Sequence, residues 1–242
     1  MQIYPTKLLN NVKGVNFYFS TKKDGNIAFH VGDDKTTVIN RHKKLAKKLD
    51  FNYKSLIHMQ QIHSNKVHII EDVDDFSHPP ICDAIITNKL NKPLMVMVAD
   101  CSPILMYDRQ KKVIAAIHAG RAGAFKNIIQ KTINSFVNNF HSNPVDIIAI
   151  GGASIHECCY EVGEEIYEEA KQLHLEYALT QDNHSYYLNI PKILKRQLIS
   201  SGVKEECIEF SDACSSCENH KYYSYRKEGQ TGRFCALIIL RE

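Results

Sequence analysis

Polar residues with catalytic or ligand chemistry directly follow two apolar runs of the sequence. Residues 94–99 lead into Asp100 and Cys101, and residues 113–117 lead into His118. Runs of this length that are rich in valine, isoleucine and methionine predict buried strands. A thiol and an imidazole at the ends of core strands would stand on rigid supports, which a reactive site needs.

A hairpin between these two groups would bring them together. Residues 103–107 predict a further strand, and the polar residues 108–111 predict a turn that leads into the strand before His118. The resulting pair of Cys101 and His118 has three interpretations. The two residues could be buried structural groups, a nucleophile with its base, or two ligands of a metal ion.

A third polar group, His63, favours the metal interpretation. The strand-like run 55–59 precedes His63, and Ser64 and Asn65 predict a turn directly after it. Like the other two residues, His63 is therefore expected where a strand meets a turn. One cysteine and two histidines make a three-ligand zinc set with an open fourth position, which catalytic sites keep for water or substrate.

Amphipathic segments predict the helices that surround these strands. Asp33 and Asp34 can cap a helix that runs to about Leu49, and apolar residues at helical spacing extend over residues 124–140. The first amides of this second helix would point toward His118 and form an anion site. Further helices are predicted over 163–173 and 191–202, and buried strands over 145–150 and 234–240. No repeat or linker divides the chain, so one domain is predicted.

Composition excludes several classes of protein. The chain has 242 residues, 44% of them apolar and 24% charged, which are ordinary values for a globular protein. A net charge of +3 is too small to argue for a nucleic-acid partner. Residues 1–5 do not begin a signal peptide, and no apolar stretch is as long as a membrane span. Eight cysteines without a secretory signal predict free thiols and a cytoplasmic location. No protein partner is evident.

A separate pair of cysteines lies near the end of the chain. Cys214 and Cys217 have the spacing of a zinc knuckle, but no second Cys-x-x-Cys pair accompanies them. Cys158 and Cys159 could join them only through the tertiary fold. The sequence therefore predicts no metal site at Cys214 and Cys217.

The motifs around the three candidate ligands, with others along nearly the whole chain, resemble those of the YfiH-like family. That family is described both as multicopper polyphenol oxidases (laccase domain) and as purine nucleoside phosphorylases. The shared motifs are Gln61-Ile62-His63, Asp83-Ala84-Ile85-Ile86-Thr87, Ala99-Asp100-Cys101-Ser102-Pro103, His118-Ala119-Gly120, Cys158-Cys159-Tyr160-Glu161-Val162-Gly163, Ser224-Tyr225-Arg226 and Thr231-Gly232-Arg233. By position, the resemblance implies zinc ligands at His63, Cys101 and His118. It also implies an α+β fold over residues 1–242, a single catalytic domain with central mixed β-sheets flanked by helices, similar to bacterial toxin deamidases.

The resemblance further implies a zinc-dependent purine nucleoside phosphorylase. Such an enzyme cleaves adenosine or inosine with phosphate to the base and ribose 1-phosphate. S-methyl-5′-thioadenosine is a further substrate of the family, and adenosine deaminase is a side activity. Arg226 and Arg233 match family motifs, and Arg41 lies in an Asn-Arg pair that is also familiar from the family. These arginines are candidate phosphate ligands, because a guanidinium binds phosphate bidentately. The family's usual Trp-Arg-Gly is replaced by Arg121-Ala122-Gly123, which removes an aromatic face.

Three other functions stay open at this stage. A His-Cys-His set also suits copper, which would make a laccase-like polyphenol oxidase. No His-x-His pair, however, supplies the additional copper sites that a multicopper oxidase needs. Without a metal, Cys101 as nucleophile and His118 as base would make a hydrolase or deamidase. A non-catalytic, redox-sensing role would require exposed thiols of low pKa.

Overall fold

The structure is a computed structural model that describes residues 6–10 and 12–242. Residues 1–5, where the sequence predicts no signal peptide, lie outside the described part. The described residues form the strands β1 (Val15–Phe19), β2 (Val67–Ile69), β3 (Ala84–Thr87), β4 (Leu94–Val98), β5 (Ser102–Asp108), β6 (Val113–Ala119), β7 (Ile147–Gly151), β8 (Glu161–Val162), β9 (Leu179–Asp182), β10 (Ser185–Leu188), β11 (Ile208–Phe210) and β12 (Phe234–Leu240). The α-helices are α1 (Lys35–Leu49), α2 (Arg121–Phe125), α3 (Ile128–Phe140), α4 (Glu164–Gln172), α5 (Ile190–Ser200) and α6 (Tyr225–Glu228).

Two sheets that pack on each other form the centre of the protein. The larger sheet has six strands in the order β11-β7-β5-β6-β3-β2 and combines parallel with antiparallel pairs. The smaller sheet has the order β1-β12-β4 and is antiparallel throughout. Its strands β12 and β4 pack on β5 and β6 of the larger sheet. A further small sheet has the order β8-β10-β9. The predicted α+β class with central mixed sheets is confirmed.

The smaller central sheet is buried on both faces, which explains why its strands are continuously apolar. In β12, Phe234, Ala236 and Ile238 belong to the core between the two sheets. The intervening Cys235 and Leu237 belong to a second core, which also contains apolar residues of α1. Because side chains alternate between the faces of a strand, both sets must be apolar when both faces are covered.

Helices cover the outer faces of the two sheets. Helix α1 begins after Asp34 as predicted, and the Asp34 carboxylate accepts the backbone N–H of Thr37 at 2.7 Å. Such a cap satisfies an amide that has no partner within the helix. Helices α3 and α5 pack on the larger sheet and on each other. Among the described residues, no helix combines the length and apolar character needed to cross a membrane.

The helix predicted over residues 124–140 is divided in the structure. It starts earlier, at Arg121, and breaks into α2 and α3 at Asn127. Asn127 has a left-handed backbone conformation, with φ of 54°, and its side chain accepts the N–H of Gln130 to cap α3. Asparagine tolerates this conformation and competes for backbone hydrogen bonds, so the apolar spacing alone could not reveal the break.

The prediction of a strand over residues 55–59 is wrong. Tyr53–Ser55 form a short 3-10 turn, and Ile57 makes only an isolated parallel bridge to Leu94. Ile57 is fully buried, so an apolar pattern arises here from burial without a regular strand. His63 consequently lies in an irregular segment and not at the end of a strand.

The chain crosses from the smaller to the larger sheet between β4 and β5. Asp100 and Cys101 form this crossing, and Asp100 has a positive φ of 87°. Strand β5 then pairs antiparallel with β6 as the predicted hairpin, and Pro103 stands opposite His118. The crossing therefore brings Cys101 to the same end of the larger sheet as His118.

One histidine of α1 is buried in the core beneath the smaller sheet. His42 is fully buried, donates from Nε2 to the carbonyl of Ile27 at 2.9 Å and stacks on Phe29. Burial lowers the pKa of His42 from 6.5 to about 4, and the bond to Ile27 opposes this shift only in part. Between these two pH values the unfolded chain binds more protons at this position than the folded chain does.

We expect the protein to lose stability as the pH falls from 6.5 toward 4, because unfolding then takes up a proton at His42. The loss from this residue between pH 7 and pH 5 is on the order of 2 kcal/mol. His42→Phe, which cannot titrate, should lose less than wild type over this interval. His184→Gln, a change at an exposed histidine, should behave like wild type. Urea unfolding at both pH values measures the difference, and equal losses in wild type and His42→Phe would contradict the prediction.

Candidate metal centre

The three candidate ligands come together at one end of the central sheets. His118 belongs to β6, Cys101 directly precedes β5, and His63 lies in the irregular segment before β2. One ligand atom of each residue lies within 4.8 Å of the other two. The rings of His63 and His118 meet nearly edge to face, with centroids 4.8 Å apart. Because His118 is buried, Cys101 partly buried and His63 exposed, the cluster is open on one side.

The buried carboxylate of Asp83 orients the ring of His118. Asp83 directly precedes β3, and its Oδ1 lies 2.8 Å from Nδ1 of His118. Since an ionised carboxylate only accepts hydrogen bonds, Nδ1 carries a proton, which leaves Nε2 as the nitrogen that can bind a metal ion in place of a proton. The backbone N–H of His118 also donates to the Asp83 carbonyl at 2.7 Å. A carboxylate behind a histidine ligand is the usual arrangement at zinc sites.

The same carboxylate shapes the turn that presents His63. The backbone N–H groups of Ile62, His63 and Ser64 donate to it at 3.2, 3.0 and 2.6 Å, and the Ser64 hydroxyl donates at 2.6 Å. The backbone of His63 is left-handed, with φ of 56°, and these bonds hold it there. Asp83 therefore positions two of the three candidate ligands.

These contacts also determine the charges in the cluster. Burial would raise the pKa of Asp83, but hydrogen bonds from His118 and Ser64 outweigh it and bring that pKa to about 2. Burial would lower the pKa of His118, but the charge of Cys101 and the bond to Asp83 raise it to about 9. The pKa of His63 is lowered, first by burial and then by His118. The cluster thus stabilises positive charge between Asp83 and Cys101, which a metal ion can supply in place of a proton.

Gly120 leaves room for the ligand atoms. A Cβ at this position would lie 2.7 Å from Sγ of Cys101 and 3.4 Å from Nδ1 of His63. Any larger residue would therefore enter the space beside the ligands. The glycine of the His-Ala-Gly motif is required here by this close approach.

Asp100 holds the backbone of Cys101 in place. Its carboxylate accepts the Ser215 hydroxyl at 2.7 Å and the backbone N–H of Arg226 at 2.7 Å. Its carbonyl accepts the backbone N–H of Ile155 at 2.8 Å. These bonds compensate for the left-handed conformation of Asp100, which is uncommon for residues other than glycine.

The cluster lies on the wall of a cavity of about 770 Å³. A cavity of this size is large enough for a small organic ligand. Besides the three candidate ligands, the wall includes the aromatic rings of Tyr160 and Tyr225 and the side chain of His30. The site can therefore combine a metal ion with a flat, aromatic or heterocyclic ligand.

Two of the three predicted phosphate ligands lie on this cavity wall. Arg226 and Arg233 both line it. Arg233 is partly buried and donates to the carbonyls of Thr231 and Gly232 at 2.7 and 3.0 Å. Burial lowers its pKa, and the negative charge of Cys101 opposes that shift. Arg233 is thus a cation held close to the candidate metal ligands.

The third predicted phosphate ligand, Arg41, is placed differently, as is Arg121. Arg41 lines a separate cavity of about 320 Å³, where it pairs with Asp33 and donates to the carbonyl of Asn26 at 2.8 Å. Its part in phosphate binding stays a prediction. Arg121 lines the main cavity but pairs with Glu169 at 2.7 Å.

The sequence pattern by itself indicates no role for Asp83 or for the two cavity tyrosines. Asp83 stands at the boundary of an apolar run, which is the same signal that drew attention to Cys101. Tyr160 and Tyr225 lie within motifs shared with the family, but phosphate chemistry points only to the arginines of such motifs. Their rings offer the aromatic surface that Arg121 removes from the usual family motif.

We expect Asp83→Asn to weaken zinc binding about 10- to 100-fold, because an amide cannot carry the charge or accept all of these donors. Asp108→Asn, a change at another fully buried aspartate, should leave the zinc affinity unchanged. Competition with a chromogenic chelator gives the zinc Kd of each folded variant. Equal affinity in Asp83→Asn and wild type would refute the positioning role of Asp83.

Comparison with known proteins identifies the family. The family model described as multi-copper polyphenol oxidoreductase laccase matches residues 14–241. A purine nucleoside phosphorylase of Corynebacterium glutamicum is 34% identical over 216 residues, which are 89% of this chain and 86% of that protein. One of Clostridium acetobutylicum is 33% identical over 226 residues, 93% of this chain and 91% of that protein.

A solved structure agrees with these relatives. The YfiH protein of Bacillus licheniformis superposes with a TM-score of 0.90 at 28% identity, covering 94% of this chain and 93% of that one. The chain therefore belongs to the family described as multi-copper polyphenol oxidoreductase laccase, the YfiH-like family that its motifs resemble.

Proposed function

We propose that the protein is a zinc-dependent purine nucleoside phosphorylase. Its substrates would be adenosine and inosine, with S-methyl-5′-thioadenosine as a further candidate, and its products the purine base and the sugar 1-phosphate. The observation that carries the proposal is the cluster of three ligands that opens into a cavity lined by arginines and tyrosines. The names of the relatives at 33% and 34% identity support the same reaction.

The ligand set suits zinc. Two imidazole nitrogens and a thiolate are ligands that zinc prefers, and three protein ligands with a free fourth position are typical of catalytic zinc. His63, Cys101 and His118 would hold the ion. When bound, zinc would supply Lewis-acid polarisation of a substrate atom and a coordinated water of lowered pKa. The proposal includes a cytoplasmic location, where the Cys101 thiolate would stay reduced.

Phosphorolysis requires the protein to hold phosphate beside the sugar. The bond between the base nitrogen and the anomeric carbon breaks, and its electron pair leaves with the purine, which takes up a proton. A phosphate oxygen forms the new bond to the anomeric carbon. Arg233 would hold the phosphate, because it is a partly buried cation on the wall that also bears Cys101.

The other two predicted arginines would support this phosphate site. The guanidinium of Arg226 donates to the carbonyls of Cys159 and Glu161 at 3.2 and 2.9 Å, so it contributes charge from a fixed position. Arg41 would act through Asn26. The Asn26 carbonyl accepts the Arg41 guanidinium, and the Asn26 side chain accepts the backbone N–H of Arg233 at 2.9 Å.

The purine would stack on the tyrosines of the cavity wall. The ring of Tyr160 is partly buried and lies 5.2 Å from the Arg226 guanidinium, which fixes its orientation. Tyr225 is 61% exposed, so its ring is free to close over a bound base. Stacking holds the base in place while its bond to the sugar breaks.

Adenosine deamination is a second activity that we propose for the same site. Attack of an activated water on C6 of adenine is known zinc chemistry, but zinc deaminases use a glutamate to transfer the protons. Among the described residues that line the cavity, Asp100 is the only carboxylate. Its oxygens already accept Ser215 and Arg226, so deamination should be slower than phosphorolysis.

Two alternatives make different use of the same residues. A copper-dependent polyphenol oxidase is the function in the family description. The other group of possible metal ligands among the described residues, Cys158, Cys159, Cys214 and Cys217, contains only cysteines, whereas a multicopper oxidase needs further histidine-rich sites. The second alternative is a metal-free hydrolase or deamidase. Cys101 would be its nucleophile, His118 the base, and Asp83 the carboxylate that orients the base. His63 would have no role in that mechanism.

The reaction should consume phosphate. Adenosine with protein and phosphate should yield adenine and ribose 1-phosphate, because the phosphate oxygen is the nucleophile. With phosphate omitted, only slow formation of inosine should appear. Chromatography of the products with and without phosphate measures this, and Cys101→Ala protein serves as the control. Identical products in both conditions would remove the phosphorylase assignment.

Cys101→Ala should lose the zinc of this site. The rate of phosphorolysis should fall by more than ~100-fold, which is the upper cost of losing a residue that only orients a metal ligand. The thiolate is the ligand that brings negative charge to the ion. Cys207→Ala removes a buried thiol outside both cysteine-containing clusters and should keep activity and zinc. Zinc content and initial rates are the measurements. Full activity after metal removal that thiol alkylation then abolishes would support the Cys–His mechanism instead.

A further inference from the structure

A second cluster of possible metal ligands lies apart from the centre described above. It consists of Cys158, Cys159, Cys214 and Cys217, whose Sγ atoms all lie within 4.8 Å of one another. Sγ of Cys217 is 3.5 Å from that of Cys158 and 3.3 Å from that of Cys159. A disulfide has an S–S distance of about 2.05 Å. Sulfurs around tetrahedral zinc, at about 2.3 Å from the ion, are about 3.8 Å apart, which is much closer to the observed distances.

The prediction that Cys214 and Cys217 lack partners is wrong. Their partners are Cys158 and Cys159 in the loop after β7, which precede Cys217 in the sequence by 59 and 58 residues. This loop is joined to the loop after β11 by a parallel bridge between Ser154 and Cys214. The second pair consists of adjacent cysteines, so a search for two Cys-x-x-Cys motifs could not find it.

Backbone hydrogen bonds fix the position of the Cys214–Cys217 turn. The N–H of Ser215 donates to the Ser154 carbonyl at 2.9 Å, which joins this turn to the loop that carries Cys158 and Cys159. The N–H of Glu218 donates to the Cys214 carbonyl at 2.8 Å, which closes the turn between the two cysteines of the knuckle. The four thiols are therefore held close together by the backbone.

We propose that these four cysteines bind a structural zinc ion. On binding, the four thiols release their protons, and the four sulfurs fill the coordination sphere of the ion. Such a closed set is typical of structural zinc and differs from the open set of His63, Cys101 and His118. The Arg226 guanidinium, which donates to the Cys159 carbonyl at 3.2 Å, would offset part of the negative charge of the site.

The ion would fasten together two loops that build the cavity wall. The loop after β7 carries Tyr160, and the loop after β11 leads to Arg226, and both side chains line the cavity. Ser215, which lies between the two cysteines of the knuckle, donates to the carboxylate of Asp100. The four-cysteine site would therefore stabilise the crossing that presents Cys101. This inference goes beyond the proposed function, because zinc content is measured independently of any reaction.

Zinc analysis of protein purified under reducing conditions without added metal tests the proposal. Wild type should contain about two zinc ions per chain, one in a closed and one in an open site. Cys158→Ser/Cys217→Ser, which changes the two exposed thiols of the cluster, should contain about one. Cys101→Ser should also lose about one ion, and Cys207→Ser should lose none. A wild-type content of one ion that only Cys101→Ser removes would overturn the proposal, as would a disulfide between the two loops in mass spectra.

Cobalt replacement of zinc provides a second measurement, and its result in the wild-type chain does not depend on whether a variant folds. Cobalt bound by four thiolates gives stronger sulfur-to-metal charge-transfer absorption than cobalt bound by one thiolate and two imidazoles. We expect the strong bands in wild type and in Cys101→Ser, and their loss in Cys158→Ser/Cys217→Ser. Bands of single-thiolate strength in wild type would exclude the four-cysteine site and leave the phosphorylase proposal untouched.

Discussion

The buried Asp83 carboxylate is the interaction on which the candidate metal centre depends. A buried ionised carboxylate is costly unless hydrogen bonds replace its water. Here it accepts the His118 ring, three backbone amides around His63 and the Ser64 hydroxyl. The same bonds that stabilise the charge also place both histidines. The positions of the two histidines therefore depend on the hydrogen bonds that stabilise the Asp83 carboxylate, and a change in one requires a change in the other.

The third ligand depends on a different constraint, the crossing of the chain between two stacked sheets. Strand β4 belongs to the smaller sheet and β5 to the larger, so the residues between them must turn sharply. Asp100 takes the left-handed conformation of this turn and binds the loops that follow β7 and β11. Cys101 is thus held by the core on one side and by these two loops on the other.

The two clusters contain similar candidate ligands but suit different purposes. The histidine–cysteine cluster has three ligands, an exposed side and an adjoining cavity, which suits chemistry on a bound substrate. The four-cysteine cluster is complete without any substrate, which suits a structural role. The second site would hold the loops that position Asp100, Tyr160 and Arg226, so the cavity wall would depend on both ions. Arg233, which we propose as the phosphate ligand, is bonded within its own loop and to Asn26.

Much of the fold, and the choice of His63, Cys101 and His118 as candidate ligands, could be predicted from the sequence, because those features are local. Continuous apolar runs show strands buried on both faces, and the boundaries of such runs drew attention to Cys101 and His118. The sequence did not reveal that a helix is interrupted at Asn127. The regular spacing of apolar residues continues past this position, although the left-handed backbone of Asn127 ends one helix and caps the next. Only the tertiary structure decided which distant residues meet. Asp83 contacts the ring of His118 and the backbone of His63, and Cys158 approaches Cys217. The packing of sheets and loops brings these segments together. No local sequence pattern shows that residues so far apart in the chain are neighbours in space.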